Sequence, residues 1–174
     1  MEEVKRMDEL TKIDERHLLL GQITGRVPDL QKRHDFVTAI EMHAGVPDEI
    51  RSQFNVAKNM ALYQYFFYAL APEVQHKTYT IIEYALKLKD APKPEHGLKR
   101  LLSKAVKEGW ISDAGFRHIE QPQPDNPYCN WLVDNLPKLR NEAAHGSNML
   151  TPDCLDHLVK CADFVNQLFD GVTA

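Results

Sequence analysis

An all-α fold, a bundle of roughly six or seven helices, is what the sequence predicts, and three observations predict it. Apolar residues recur at three- and four-residue intervals in nearly every segment. The ten prolines and eight glycines fall mostly between those segments, where helices start and stop. No run alternates apolar and polar residues with the period of two that a half-buried strand requires, and no internal repeat or low-complexity tract is visible.

The elements follow in order. A first, polar helix is expected over residues 2–22, ending near Gly21 and Gly25. Pro28 sits where a first-turn proline belongs and opens PDLQKRHDFVTAIEMHA, which stops near Gly45. Pro47, with Asp48 and Glu49 behind it, opens a long third helix through Ala69, with Phe54, Ala57, Ala61, Tyr65 and Tyr68 on one stripe. Pro72 marks the next start, and Val74, Tyr79, Ile82, Ala85 and Leu86 recur at helical spacing until DAPKP breaks the helix at residues 90–94.

In EHGLKRLLSKAVKEG the buried face is Leu98, Leu101, Leu102, Ala105 and Val106, and Gly109 is the expected C-terminal cap. Residues 112–127 hold three prolines and few apolar side chains, so a loop or short helical turn is expected. CNWLVDNLPKLRNEAAH is helical in pattern, and Pro137 inside it predicts either a kink or a fresh start capped by Asn135. Gly146 can end that helix. Thr151, Pro152 and Asp153 then open a last helix through Phe169.

At 174 residues the chain suits one compact domain, able to bury roughly 70% of its unfolded surface. An apolar fraction of 43% beside 26% charged residues excludes wholesale disorder. The net charge of −4 argues against a protein that coats duplex nucleic acid over its whole surface. The charged N-terminus is unlike a secretory signal, and the longest nearly apolar stretch, MALYQYFFYALA, is too short to span a bilayer. Three cysteines, Cys129, Cys154 and Cys161, point to reduced thiols and a cytoplasmic setting, with no membrane association.

The most informative string is Leu139-Arg140-Asn141-Glu142-Ala143-Ala144-His145-Gly146. Asn141 and His145 are four apart and share a helix face. Arg140 is five from His145, about 140° round an ideal helix, but its long side chain can reach back. A histidine at a helix C-terminus also has a purely structural use, because its cation interacts favourably with the macrodipole.

RNEAAH resembles the signature of the HEPN superfamily (higher eukaryotes and prokaryotes nucleotide-binding), in which an Arg, commonly followed by Asn, precedes a His by four to six residues. HKTYTIIEYALKLKD resembles the family's upstream helix, with Glu83 ahead of Leu86 and Lys87. KRLLSKAVKEGWIS resembles the helix after it. The resemblance covers about residues 48–170 and divides the chain into an N-terminal helical extension, 1–46, and a HEPN-like bundle, 47–174.

That resemblance implies a homodimer in which motif helices of two subunits meet, and metal-independent endoribonuclease activity in stress or phage defence. His145 is then the general acid/base near the RNA 2′-hydroxyl or leaving oxygen. Arg140 holds the scissile phosphate, Asn141 orients the two, and Glu83 supports Arg140. No cofactor or metal is needed. Toxin members of one branch carry a Tyr two residues after the His, whereas this chain has Ser147. Many family members are instead non-catalytic modules that bind a nucleotide or a protein partner, and that alternative stays open.

Residues 87–107 hold seven basic side chains against two acidic ones, a local excess of +5 in an acidic chain. Arg100, Lys104 and Lys107 lie on the helix face opposite the leucines, a pattern suited to RNA backbone contacts or simply to a solvated face. Cys154, His157 and Cys161 share a stripe with Val165 and Leu168, which suits packing better than a metal site with no fourth ligand. Tyr63, Tyr65, Phe66, Phe67 and Tyr68 would wrap all round a helix, which favours a core helix or dimer interface over base stacking.

Overall fold

In the computed structural model, described here for residues 2–91, 96–145 and 154–171, the chain is all-helical. Among the described residues seven α-helices follow in order: α1 (Glu15–Thr24), α2 (Leu30–Ala39), α3 (Asp48–Tyr63), α4 (Ala71–Lys89), α5 (Leu98–Lys107), α6 (Pro127–Ala144) and α7 (Leu155–Leu168). No strand occurs among the described residues.

The centre is α4, which packs against α3, α5, α6 and α7. Its buried residues, among them Val74, Thr78, Ile81, Ile82, Ala85 and Leu86, cover a face of roughly 160° at 100° per residue, as befits a helix enclosed by neighbours. Proline at its start costs it no hydrogen bond, and Lys87 and Lys89 in its last turn complement the macrodipole. α5 is the most clearly two-faced helix, with Leu98, Leu101, Leu102 and Ala105 buried. Val37, Ile40, Met42 and Val46 belong to the same buried cluster as Phe54 and Leu86, so the core crosses position 46 without a break.

Several boundaries differ from those read in the sequence. The first helix covers Glu15–Thr24 rather than 2–22, because Asp14 is held in extended backbone as its N-cap. The Asp14 carboxylate is buried and accepts from the Arg16 and Tyr68 backbone N–H groups at 3.1 and 2.9 Å and from the Arg16 guanidinium. Asp29 caps α2, so Pro28 lies just before the helix and not in its first turn. That helix ends at Ala39 instead of near Gly45, since Ile40 turns extended while Lys58 donates to the Thr38 and Ile40 carbonyls. α3 stops at Tyr63, so Tyr65 and Tyr68 leave its stripe. The chain reverses there around buried Gln64, whose side-chain oxygen accepts from Arg33 at 2.6 Å.

Pro137 lies inside a continuous α6 and starts no new helix. Asn135 does not cap; its side chain donates back to the Trp131 carbonyl at 2.9 Å. Gly146 and the predicted start at Thr151, Pro152 and Asp153 lie outside the described residues.

The loop before α6 contains the expected short turn, Asp113–Gly115, and it is firmly anchored. The buried Asp113 carboxylate accepts from the Tyr128 and Cys129 N–H groups at 3.0 and 2.9 Å, capping α6 from 14 residues upstream of its first residue. Asn126, in left-handed backbone, returns a bond by accepting from the Asp113 N–H at 2.9 Å. On α7, buried Asp163 holds the Arg117 backbone N–H and guanidinium. Gly115 permits the close approach, because a Cβ there would sit 1.9 Å from Gln167 Cδ. Replacing Asp113 with Ala should orphan two helix N-terminal donors and lower stability by about 2–3 kcal/mol, read from the urea midpoint of unfolding.

Candidate functional site

Arg140 stands on α6 where that helix faces α4. Its Nε and Nη2 both donate to Oε2 of Glu83, at 2.9 and 2.7 Å. Nη1 donates to the Asn141 side-chain oxygen at 3.0 Å. A guanidinium has five N–H groups, so one on Nη1 and one on Nη2 are not used by these bonds. Paired guanidinium N–H groups match two oxygens of a phosphate.

Glu83 is shared between two cations. Its Oε1 accepts from Lys87 at 2.7 Å, one turn along α4. The carboxylate is 13% exposed, Arg140 32% and Lys87 38%, so the acid is sheltered while its partners reach solvent. Burial raises the Glu83 carboxyl, but hydrogen bonds and charge from Lys87 and Arg140 outweigh it and hold the pKa below the ordinary value. The cluster carries one net positive charge.

Asn141 is exposed, and so is His145, whose backbone N–H donates to the Asn141 carbonyl at 3.0 Å. His145 is thus the C-terminal cap of α6, one turn beyond Asn141 and on its face. The arrangement puts a fixed guanidinium, an amide and a solvent-facing imidazole within the last turns of one helix. Such a set can hold an anion and exchange a proton beside it.

The basic face of α5 divides. Lys104 pairs with the buried Asp90, which His96 Nδ1 also approaches at 2.9 Å, and Lys104 Nζ lies 5.1 Å from the centre of the Trp110 ring. The Asp90 carboxyl is held below its ordinary value, first by Lys104 and then by His96. Lys104 therefore ties α5 to the C-terminal end of α4. Arg100 and Lys107 are exposed. Lys99 pairs with Asp134 and Lys87 with Glu83, so two acids outside the 87–107 interval offset part of its excess.

Among the described residues no three His, Cys, Asp or Glu side chains come together as a metal site. Cys154 and Cys161 are buried, and the Cys161 thiol, pushed up by burial, donates to the Thr78 carbonyl at 3.7 Å. His157 meets Tyr79 edge-on, with ring centres 5.9 Å apart. The aromatic set at residues 63–68 lies at the end of α3 and the turn after it: Tyr68 is buried, Tyr63 exposed, the others half-buried.

Sequence reasoning missed the buried carboxylates of Asp14, Asp113 and Asp163. Only Asp163 carried a signal, a lone acid inside the apolar run CADFV. It also passed over Trp131, 49% exposed on α6. No family model, curated protein or solved structure matches this chain.

Two outcomes follow from these contacts. Because the folded-state pKa of Glu83 is depressed, its ion pairs contribute stability above the unfolded carboxyl pKa, and that contribution is lost as pH falls through the folded value. The difference in melting temperature between wild type and Glu83→Gln should be largest near pH 7 and shrink below about pH 4. On α5, Lys104→Ala should lower the urea midpoint by leaving Asp90 with His96 alone, while Arg100→Ala and Lys107→Ala should leave it within error.

Proposed function

We propose that this protein is a HEPN-like, metal-independent endoribonuclease that acts as a homodimer. What supports the reading above all is the Arg140 geometry: a guanidinium braced by Glu83 and Asn141 with two of its five N–H groups left over, five residues before an exposed histidine on the same helix. The guanidinium receives two oxygens of the scissile phosphate and stabilises the charge that builds on them as phosphorus becomes five-coordinate. His145 removes the proton from the adjacent 2′-hydroxyl, and that oxygen attacks phosphorus. The P–O5′ bond breaks, and the departing oxygen takes a proton. The products are a 2′,3′-cyclic phosphate and a 5′-hydroxyl, and no metal or cofactor enters the balance. In a symmetric dimer the second copy supplies another imidazole, so one ring can accept the 2′ proton while the other donates to the leaving oxygen. Arg100 and Lys107 extend the contact along the RNA backbone, as phosphate-binding side chains that carry no sequence information.

The competing reading, a non-catalytic module for a nucleotide or protein partner, draws on the same ion pair, since three of the five Arg140 N–H groups are already satisfied within the subunit. An RNA cleavage assay in chelator separates the two. Wild type should cut single-stranded RNA to cyclic-phosphate ends, with His145→Ala and Arg140→Ala each reduced about 100-fold or more. Cleavage insensitive to both substitutions would remove the mechanism, and no cleavage by wild type would leave the binding module.

A further inference from the structure

Metal-free RNA cleavage moves two protons, one off the 2′-hydroxyl and one onto the departing O5′. The in-line path puts those oxygens on opposite sides of phosphorus, so two proton-transfer groups are needed, one on each side. Six of the eight histidines are already engaged. His17 and His43 bond the Gln64 and Asn166 carbonyls, and His34 and His96 pair with Asp35 and Asp90. His118 and His157 pack edge-on against Tyr128 and Tyr79. The two whose side chains make no hydrogen bond, ion pair or ring contact with any described residue are His145 and His76.

His76 is half-buried on α4. It precedes Glu83 by seven residues, close to two full turns, so the two share a face and stand about 10 Å apart along the axis. That face meets α6, because Glu83 holds Arg140. α6 runs against α4 here. Glu142, two residues beyond Arg140, acts on Tyr79, four residues before Glu83: burial raises the Tyr79 hydroxyl, the Gln75 hydrogen bond lowers it, and the Glu142 charge raises it further. α7, which follows α6 in the chain, begins at the same stretch of α4, with His157 on Tyr79 and Cys161 on the Thr78 carbonyl. From the Arg140–Glu83 pair toward this end of the bundle, α4 therefore leads to His76 and α6 to His145, the latter about 7.5 Å along from Arg140. The side chains on the way are short: Thr80 on α4 and exposed Ala144 on α6. A phosphate with a hydrogen bond of about 2.8 Å on either side bridges roughly 8 Å, the same order as the steps from the ion pair to either ring.

We propose that His76 is the general acid of this site, donating to O5′ while His145 accepts from the 2′-hydroxyl, so that one copy of the chain holds both proton-transfer groups. This rests on the ribonuclease reading. The O2′–P bond forms as the P–O5′ bond breaks. The 2′ proton ends on His145, the proton of the His76 imidazolium ends on O5′, and both rings return to their starting forms by exchange with water.

The test uses two substrates that differ in their need for an acid. A 5′-alkoxide leaves only with a proton, whereas 4-nitrophenoxide leaves without one. Rates of the full chain are measured on single-stranded RNA and on uridine 3′-(4-nitrophenyl phosphate), for wild type, His76→Ala, His76→Gln and His145→Ala; melting temperatures confirm folding, and the Gln variant keeps the side-chain bulk. Both His76 variants should lose about 100-fold or more in kcat/KM on RNA and far less on the nitrophenyl ester, while His145→Ala should lose on both. RNA cleavage by the His76 variants at the wild-type rate would overturn the proposal and leave the second copy's imidazole as the acid. Equal losses on the two substrates would also overturn it, since a merely structural role slows both alike. In both of those cases wild type still cuts, so the ribonuclease reading stands; wild type that cuts neither substrate removes that reading and the proposal together.

Discussion

The enclosure of α4 is the constraint on which the other elements depend. A helix packed against four neighbours has little surface left for charge, and burying an ion without a partner is prohibitive. Its mid-helix acid, Glu83, must therefore lie in a seam where cations can reach it. The α4–α6 seam supplies Arg140 from the neighbour, and Lys87 arrives from α4 itself. Fixing Glu83 fixes the roll of α6 about its axis, because Arg140 can reach the acid from only one face. That roll turns Leu132 and Leu136 inward and leaves Asn141 and His145 in solvent. The site is thus a consequence of how the core is closed at its polar edge.

Three buried aspartates perform the matching task for the irregular segments. Asp14 ties the N-terminal stretch to the reversal after α3, Asp113 ties the loop before α6 to that helix's first turn, and Asp163 holds the same loop against α7 through Arg117. Each accepts backbone N–H groups that would otherwise be orphaned in the interior, and a charged acceptor makes those bonds stronger than neutral ones. The Asp14 carboxyl is accordingly pulled well below the usual carboxylate range by Arg16 and Tyr68 against the opposing effect of burial. Loops fastened in this way behave as part of the core, which is why α6 begins at a defined residue after a proline-rich approach.

Helix identity was legible because it rests on local period: α5 shows one apolar stripe, and α4 a proline start and a lysine-rich end. Boundaries were less so, since they depend on distant partners. Nothing near Asp14 in sequence announces that Tyr68, 54 residues on, will pin it in extended backbone and stop a helix from running through it. The end of α2 is likewise decided by Lys58 from another helix. The basic face of α5 was readable as composition but not as function, because Asp134 and the folded position of Asp90 neutralise members that look free in one dimension. Arg140, Asn141 and His145 stood out through adjacency, whereas a cavity lined by Tyr79, Trp131 and His157 did not, since these meet only when three helices converge.

On the proposed ribonuclease reading, a braced Arg140 and an exposed His145 divide the work for a physical reason. Holding a phosphate in a reactive pose needs an orientation set before substrate arrives, and every N–H already committed to Glu83 or Asn141 removes a rotation that binding would otherwise have to freeze. Proton transfer needs the opposite. The group that exchanges a proton needs access to substrate and solvent, which an exposed side chain has. An end-of-helix position leaves His145 exposed on the α6 scaffold, while the same helix carries Arg140 into the seam five residues earlier. One helix can supply both behaviours only where it passes from packed core to open end, and α6 does so between Leu136 and His145.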